Sequence, residues 1–254
     1  MLEAETSASF YYRKNEKGDN YEQKDKTWRD PYGEGFNTCK KREIEIEPGL
    51  TVLVGCNGAG KTTMLHNVAE ELKNENIPVF QFDNTRDGGL YSIDESIATG
   101  SYSFGATAMC SSEGENINLN LGKSAAKWRR FIETGDDGDR TRRLVKAVRK
   151  ANGEEDDEKE IPNERWILLD AVDSGFSVDN VVEMKDLFRL VMDDAAAKGI
   201  EPYIVVSANA YELAAGENCF DVIGGKYVRF GGYDEYRKFV LKSRKEKDKR
   251  YEER

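Results

Sequence analysis

Nine consecutive residues, Gly55-Cys56-Asn57-Gly58-Ala59-Gly60-Lys61-Thr62-Thr63, have the types and spacing that hold a polyphosphate. They satisfy G-x-x-x-x-G-K-[ST] at each fixed position. Gly55, Gly58 and Gly60 let the backbone turn its N–H groups inward where side chains would obstruct, and a following helix adds favourable partial charge at its N-terminus. Lys61 is expected to reach the β- and γ-phosphates of a nucleotide and the Thr62 hydroxyl to ligate magnesium; Asn57, Ala59 and Thr63 complete the loop.

A second chemical signal is Trp166-Ile167-Leu168-Leu169-Asp170. Four large apolar residues ending in aspartate describe a buried parallel strand with a carboxylate at its carboxyl end, where ligands bind in open α/β sheets. Asp170 is then the expected second magnesium partner, directly or through water. Gln81 and Asp83, at or near the end of another short strand, fit either a contact to the ion or its water, or an ordinary polar strand edge. Ser111-Ser112-Glu113-Gly114-Glu115 precedes a helical stretch and reads as a second anion site or as a plain helix cap. Tyr11, Tyr12, Tyr32 and Phe36 are candidates for stacking on an adenine ring, although packing is the commoner role of such rings. His66 is the only histidine, and its place in the helix after the loop suggests packing.

Positioning these groups requires alternating strands and helices. Leu50–Val54 is an apolar, β-branched strand, and Thr63–Leu72 has helical apolar spacing. Glu43–Ile46 alternates like a half-buried strand, and Pro48-Gly49 is expected to turn it into a hairpin with the strand feeding the loop. Further strands are expected over Ile77–Phe82 and Tyr203–Ser207, with helices over Ile117–Ile132, Thr141–Ala151 and Val181–Lys198. Phe220–Ile223 and Lys226–Phe230 read as a closing hairpin around Gly224-Gly225. Residues 13–30 are charged and glycine-spotted, a solvated loop or insertion. Residues 84–110 form a loop long enough to suggest function, and Gly153–Glu160 is an acidic solvated run. Lys123, Lys127, Arg129 and Arg130 fit an exposed helix face or a contact for acidic partners. From Tyr236 onward the tail is helical in propensity and mixed in charge, with part of it free to stay unordered.

The 254 residues suffice for one large α/β domain, the preferred reading over two small ones. A formal net charge of -10 argues against coating nucleic acid through overall positive charge, leaving only local basic patches. Cys39, Cys56, Cys110 and Cys219 are far apart and form no C-x-x-C pair, which indicates neither zinc nor a disulfide framework and fits a reducing cytoplasm. No apolar run approaches a membrane span, and the N-terminal residues lack the features of a signal peptide.

In this order the motifs resemble those of ATP-binding cassette ATPases, over most of the domain from the Glu43 strand to about Tyr236. The glycine loop matches with its Asn57 variant, and Ser111–Glu115 resembles the L-S-G-G-Q signature in an S-x-G-E form. Trp166–Ser177 resembles the second acidic motif running into the D-loop. Asp170-Ala171-Val172-Asp173-Ser174-Gly175 is more similar to the SMC, RecF and RecN branch than to transporter subunits. The resemblance implies a P-loop NTPase head with a mainly parallel core sheet, an antiparallel β subdomain and a short helical signature subdomain. It divides residues 1–254 into an N-terminal strand plus charged insertion (1–42), a loop and helical signature subdomain (84–160) and a charged helical tail (237–254). The branch's long coiled coil is missing, so the chain looks like a head alone. Two copies are expected to sandwich ATP and magnesium, the glycine loop of one facing Ser112, Gly114 and Glu115 of the other. DNA or a DNA-processing protein is the implied partner, with no integral membrane segment.

Two positions depart from the family. Ala171 stands where a glutamate orients the attacking water, so hydrolysis is expected to be slow; Asp173 or Glu115 is the substitute to consider. Ser207-Ala208-Asn209 replaces the switch histidine, and Asn209 can bond phosphate but cannot shuttle a proton at neutral pH. With Asp170, Asp173 and Asn209 make the expected catalytic set. The alternatives are a hydrolysis-deficient, ATP-gated dimerisation switch recruiting a protein, and the energy subunit of a membrane transporter.

Overall fold

The computed structural model describes residues 9–10, 44–83, 125–137, 144, 148, 152, 162–174 and 176–252. Six strands make the main sheet: β3 (Gly49–Val54), β4 (Val79–Asp83), β5 (Glu164–Asp170), β6 (Glu201–Ser207), β7 (Asn218–Asp221) and β8 (Lys226–Val228), in the order β4-β5-β6-β3-β7-β8. All neighbours are parallel except β7 and β8. The fold class is therefore α/β with a mostly parallel mixed sheet, as the continuous apolar runs at β3, β5 and β6 require of strands covered on both faces.

Side chains alternate between those faces. On one, Leu53, Trp166, Leu168, Tyr203, Val205 and Phe220 meet Met64, Leu65, Val68 and Leu72 of α1 (Lys61–Asn74). On the other, Val52, Ile167, Leu169, Ile204 and Val206 pack with Met184, Phe188 and Val191 of α3 (Val178–Ala197) and with Trp128 and Phe131 of the helical segment α2 (125–134). Trp166 and Tyr203, directly opposite in register, stack with centroids 4.2 Å apart and planes within 4°. That pair adds roughly 0.5–1.5 kcal/mol beyond its buried area.

Two expectations are corrected here. Glu43–Ile46 does not form a hairpin with the loop strand: β2 (Ile44–Glu45) pairs antiparallel with β1 (Ser9–Phe10), while β3 lies in parallel between β6 and β7. A strand apolar on both faces belongs in the sheet interior, and the charged alternation of residues 43–47 does not. His66 is exposed on α1 rather than packed, because the buried stripe runs through Met64, Leu65, Val68, Ala69 and Leu72. A short helix, α4 (Tyr211–Ala214), was not anticipated, and α5 (Tyr233–Glu252) is one continuous helix.

β7 and β8 do form the closing hairpin. Asp221 Oδ1 accepts from the N–H groups of Ile223 (3.0 Å) and Gly224 (2.9 Å), and a Cβ at 224 would lie 2.2 Å from Asp221 Oδ2. No described helix is long and apolar enough to cross a membrane.

Candidate functional site

The carboxyl ends of β3, β5 and β6 meet at one end of the sheet, and the chemistry-bearing residues of the sequence collect there. β3 runs directly into the glycine loop, where Gly55, Gly58 and Gly60 have φ of 154°, 74° and 97°. The last two values lie where side-chain-bearing residues are disfavoured, so glycine is required for the turn into α1. A Cβ on Gly55 would also approach the Ala59 Cβ to 3.0 Å.

The start of α1 is built unlike an ordinary helix start. Gly60 supplies no side-chain cap, the first turn contains no acidic residue, and its first residue is Lys61. The leading N–H groups of any helix lack intrahelical acceptors, and the dipole there favours negative charge. A cation with no cap and no acid is the opposite of what stabilises a bare helix end, and it suits an anion arriving from outside.

Lys61 is buried, and its Nζ donates to the carbonyls of Gly55 (3.0 Å) and Cys56 (3.4 Å). Burial pushes its ammonium below the ordinary lysine range, while Cys56, Asp173 and Asp170 pull the other way electrostatically. The loop lysine and the two carboxylates of the acidic motif therefore lie within electrostatic reach of one another.

Asp170 ends β5 with little solvent exposure, and its Oδ1 accepts from the Ser207 hydroxyl at 2.6 Å. Ser207 Oγ in turn accepts from the Ala171 N–H at 2.7 Å. One hydroxyl at the end of β6 thus fixes both the carboxylate and the turn after it. Oδ2 of Asp170 has no hydrogen-bond partner among the described residues. Ala171 has φ of 48°, an uncommon left-handed conformation for alanine.

Asp173 is buried, and its Oδ2 accepts from the N–H groups of Asn209 (2.7 Å) and Ala210 (2.6 Å). The Asn209 side chain reaches its Oδ1 at 3.5 Å, and the Tyr236 hydroxyl donates to the Asn209 carbonyl at 3.0 Å. Asp173 therefore ties the loop after β5 to the loop after β6, and its carboxylate is engaged as a brace. Burial, foremost, and the nearby Asp173 push the Tyr236 phenol upward, so it remains a donor.

Gln81 faces α1, where its Oε1 accepts from Lys73 Nζ at 2.8 Å. It and Asp170 line one pocket of about 180 Å³ between α1 and strands β4 and β5, along with Leu65, His66, Glu70 and Lys73. Asp83 stands opposite Asp170 in the β4–β5 register. Thr62 is exposed at the first turn of α1, with Thr63 beside it. Among the described residues no group of three His, Cys, Asp or Glu side chains converges as a metal cluster. A magnesium held by one hydroxyl, one carboxylate, waters and phosphate oxygens needs none, and Thr62 with the open Asp170 oxygen fits that donor set.

Ser112, Gly114, Glu115, Tyr11, Tyr12, Tyr32, Phe36 and Lys123 lie outside the described residues. Sequence reasoning missed Ser207, Ser243 and Lys247. Ser207 carried a signal, being the polar residue that closes the apolar run next to β5. Ser243 donates no such clue alone, but with Tyr236, Val240 and Lys247 it falls on one stripe of α5. The Ser243 Oγ accepts from the Cys56 N–H at 3.1 Å, and Lys247 Nζ donates to the Asn57 carbonyl at 3.0 Å.

No protein-family model matches this chain, and comparison with curated proteins and with solved structures returns no match.

Proposed function

We propose that the chain is an ATPase head of the ATP-binding cassette type: it binds ATP with magnesium at residues 55–63 and pairs head to tail with a second copy. The observation that carries this reading is an uncapped, acid-free helix start bearing a buried lysine, within electrostatic reach of Asp170 and Asp173. Phosphate oxygens suit the free N–H groups, and Lys61 suits the negative charge between the terminal phosphates. Thr62 and Asp170 suit magnesium, which would neutralise charge developing on the phosphates during transfer.

Turnover on this reading is slow. Ala171 has no carboxylate with which to orient water, and Asp173 is already engaged with two backbone N–H groups. Losing a general base costs roughly a hundred-fold or more. The same two residues favour a second reading, an ATP-gated dimerisation switch that recruits a protein partner with negligible hydrolysis. A role with DNA, and Ser112 and Gly114 as contacts across the dimer, follow from the likeness to the SMC and RecF branch. A γ-phosphate touched by both copies would couple nucleotide state to pairing through charge-assisted hydrogen bonds.

The test is MgATP titration of the chain and of Lys61→Ala, with mass followed by light scattering and phosphate release measured beside Ala171→Glu. Expected are loss of binding in Lys61→Ala, ATP-dependent doubling of mass, and faster release in Ala171→Glu. Undiminished binding by Lys61→Ala would remove the reading. Doubling with no release in either the parent or Ala171→Glu would select the switch.

A further inference from the structure

The C-terminal helix α5 lies against the glycine loop in a way that the loop motif does not require. Val240 packs with Cys56, Ala59 and Ile223 beneath the loop. One turn further, buried Ser243 offers its Oγ to the Cys56 N–H, and that oxygen would lie 3.6 Å from a Cβ on Gly55. One turn further again, the Lys247 ammonium sits on the Asn57 carbonyl and would lie 3.4 Å from a Cβ on Gly58. Residues 240, 243 and 247 thus follow the loop from its base to its tip, at the spacing of one helix face.

Lys247 is mostly covered, although it is a lysine near the end of a charged helix. An ammonium has three donors. One is used on Asn57, and among the described residues the one carboxylate paired with it, Asp248, is 3.9 Å away, at the limit of an ion pair. The loop tip consequently has a second cation beside it, at Asn57 and Gly58. Resting on the nucleotide reading given above, we propose that α5 is a wall of the nucleotide site, with Ser243 setting the shape of residues 55–57 and Lys247 selecting triphosphate over diphosphate. On this reading Lys61 serves both nucleotides, and the third phosphate of ATP extends toward the loop tip at Asn57 and Gly58, where the Lys247 ammonium lies. The selectivity is physical: attraction between unit charges grows as one over their separation, and the additional negative charge of ATP is the part nearest the tip.

The experiment is calorimetric titration of MgATP and MgADP into the full chain and into Lys247→Gln, Lys247→Arg, Ser243→Ala and Lys61→Ala, with thermal melts confirming folding of each. Lys247→Gln is expected to weaken ATP about ten-fold and ADP less than three-fold, and Lys247→Arg to restore most of the difference. Ser243→Ala is expected to weaken both nucleotides by the same factor, since it acts through loop shape. Equal effects of Lys247→Gln on ATP and ADP, or none, would overturn the selecting role while Lys61→Ala still abolished binding. A parent chain that bound neither nucleotide would overturn the site reading itself, and this inference with it.

Discussion

Removing the Ser207 hydroxyl tests whether the acidic end of β5 is held as described. Ser207→Ala deletes the 2.6 Å donation to Asp170 and the 2.7 Å acceptance from the Ala171 N–H in one step. A hydrogen bond to a charged acceptor contributes about 1.5–3 kcal/mol, and a buried donor left unpaired costs about 1–3 kcal/mol. The Ala171 backbone is only partly covered, so water recovers some of the second amount. A net loss of about 2–4 kcal/mol is expected. For a domain of this size each kcal/mol moves Tm by roughly 2–4 °C, so Tm should fall by roughly 4–16 °C, read by calorimetry. A cycle with Asp170→Ala should give a coupling of at least about 1 kcal/mol, because the two side chains touch. A Tm shift below about 2 °C, or additive effects in the cycle, would refute this account of the strand end.

Four other substitutions, at three positions, follow from the same structure. Ala171→Gly should raise stability by about 0.5–1 kcal/mol, since the left-handed φ of 48° strains alanine more than glycine's added chain entropy costs; Ala171→Val, measured by urea unfolding, should lower it by more than about 1 kcal/mol. Gly224→Ala should lose about 1–3 kcal/mol in the same assay, because its methyl group meets the Asp221 carboxylate at 2.2 Å. Burial, and secondarily Glu75, hold the Glu71 carboxyl above the ordinary glutamate range. The folded state then binds its proton more tightly than the unfolded chain, so the parent loses stability as pH rises from the unfolded value through the raised one. Glu71→Gln should therefore match the parent at pH below the unfolded value and exceed it at neutral pH, by no more than about 1 kcal/mol because the group is only partly buried. A gain that persisted unchanged at low pH would show that the carboxyl's charge is not the cause.

The sheet was legible because its strands are simple. Val52–Val54, Trp166–Leu169 and Tyr203–Val206 are apolar on both faces, which only a covered parallel sheet accommodates. The places of the glycine loop, between β3 and α1, and of Asp170, at the end of β5, were legible as well, since each directly follows an apolar run. The β2 partner was not: the four-residue alternation of Glu43–Ile46 identifies a strand edge without saying which strand completes it. His66 was misread as packed because periodicity on α1 places it one position away from the buried stripe, and a single histidine offers no independent signal.

What the sequence withheld has a common physical form. Asp173 looked like a spare base because a carboxylate not far from a glycine loop carries that meaning in one dimension. In three dimensions its Oδ2 caps the backbone of Asn209 and Ala210, more than thirty residues away. Ser243 and Lys247 lie further still, 187 and 190 positions from the loop atoms they contact. A helix that is charged on nearly every exposed position gives no hydrophobic signal strong enough to fix its docking face. The loop itself supplies the missing constraint: the Cys56 N–H is buried, and a buried donor must find an acceptor. Once α1 has turned away from that N–H, the acceptor has to come from another element, and Ser243 is where the fold provides it.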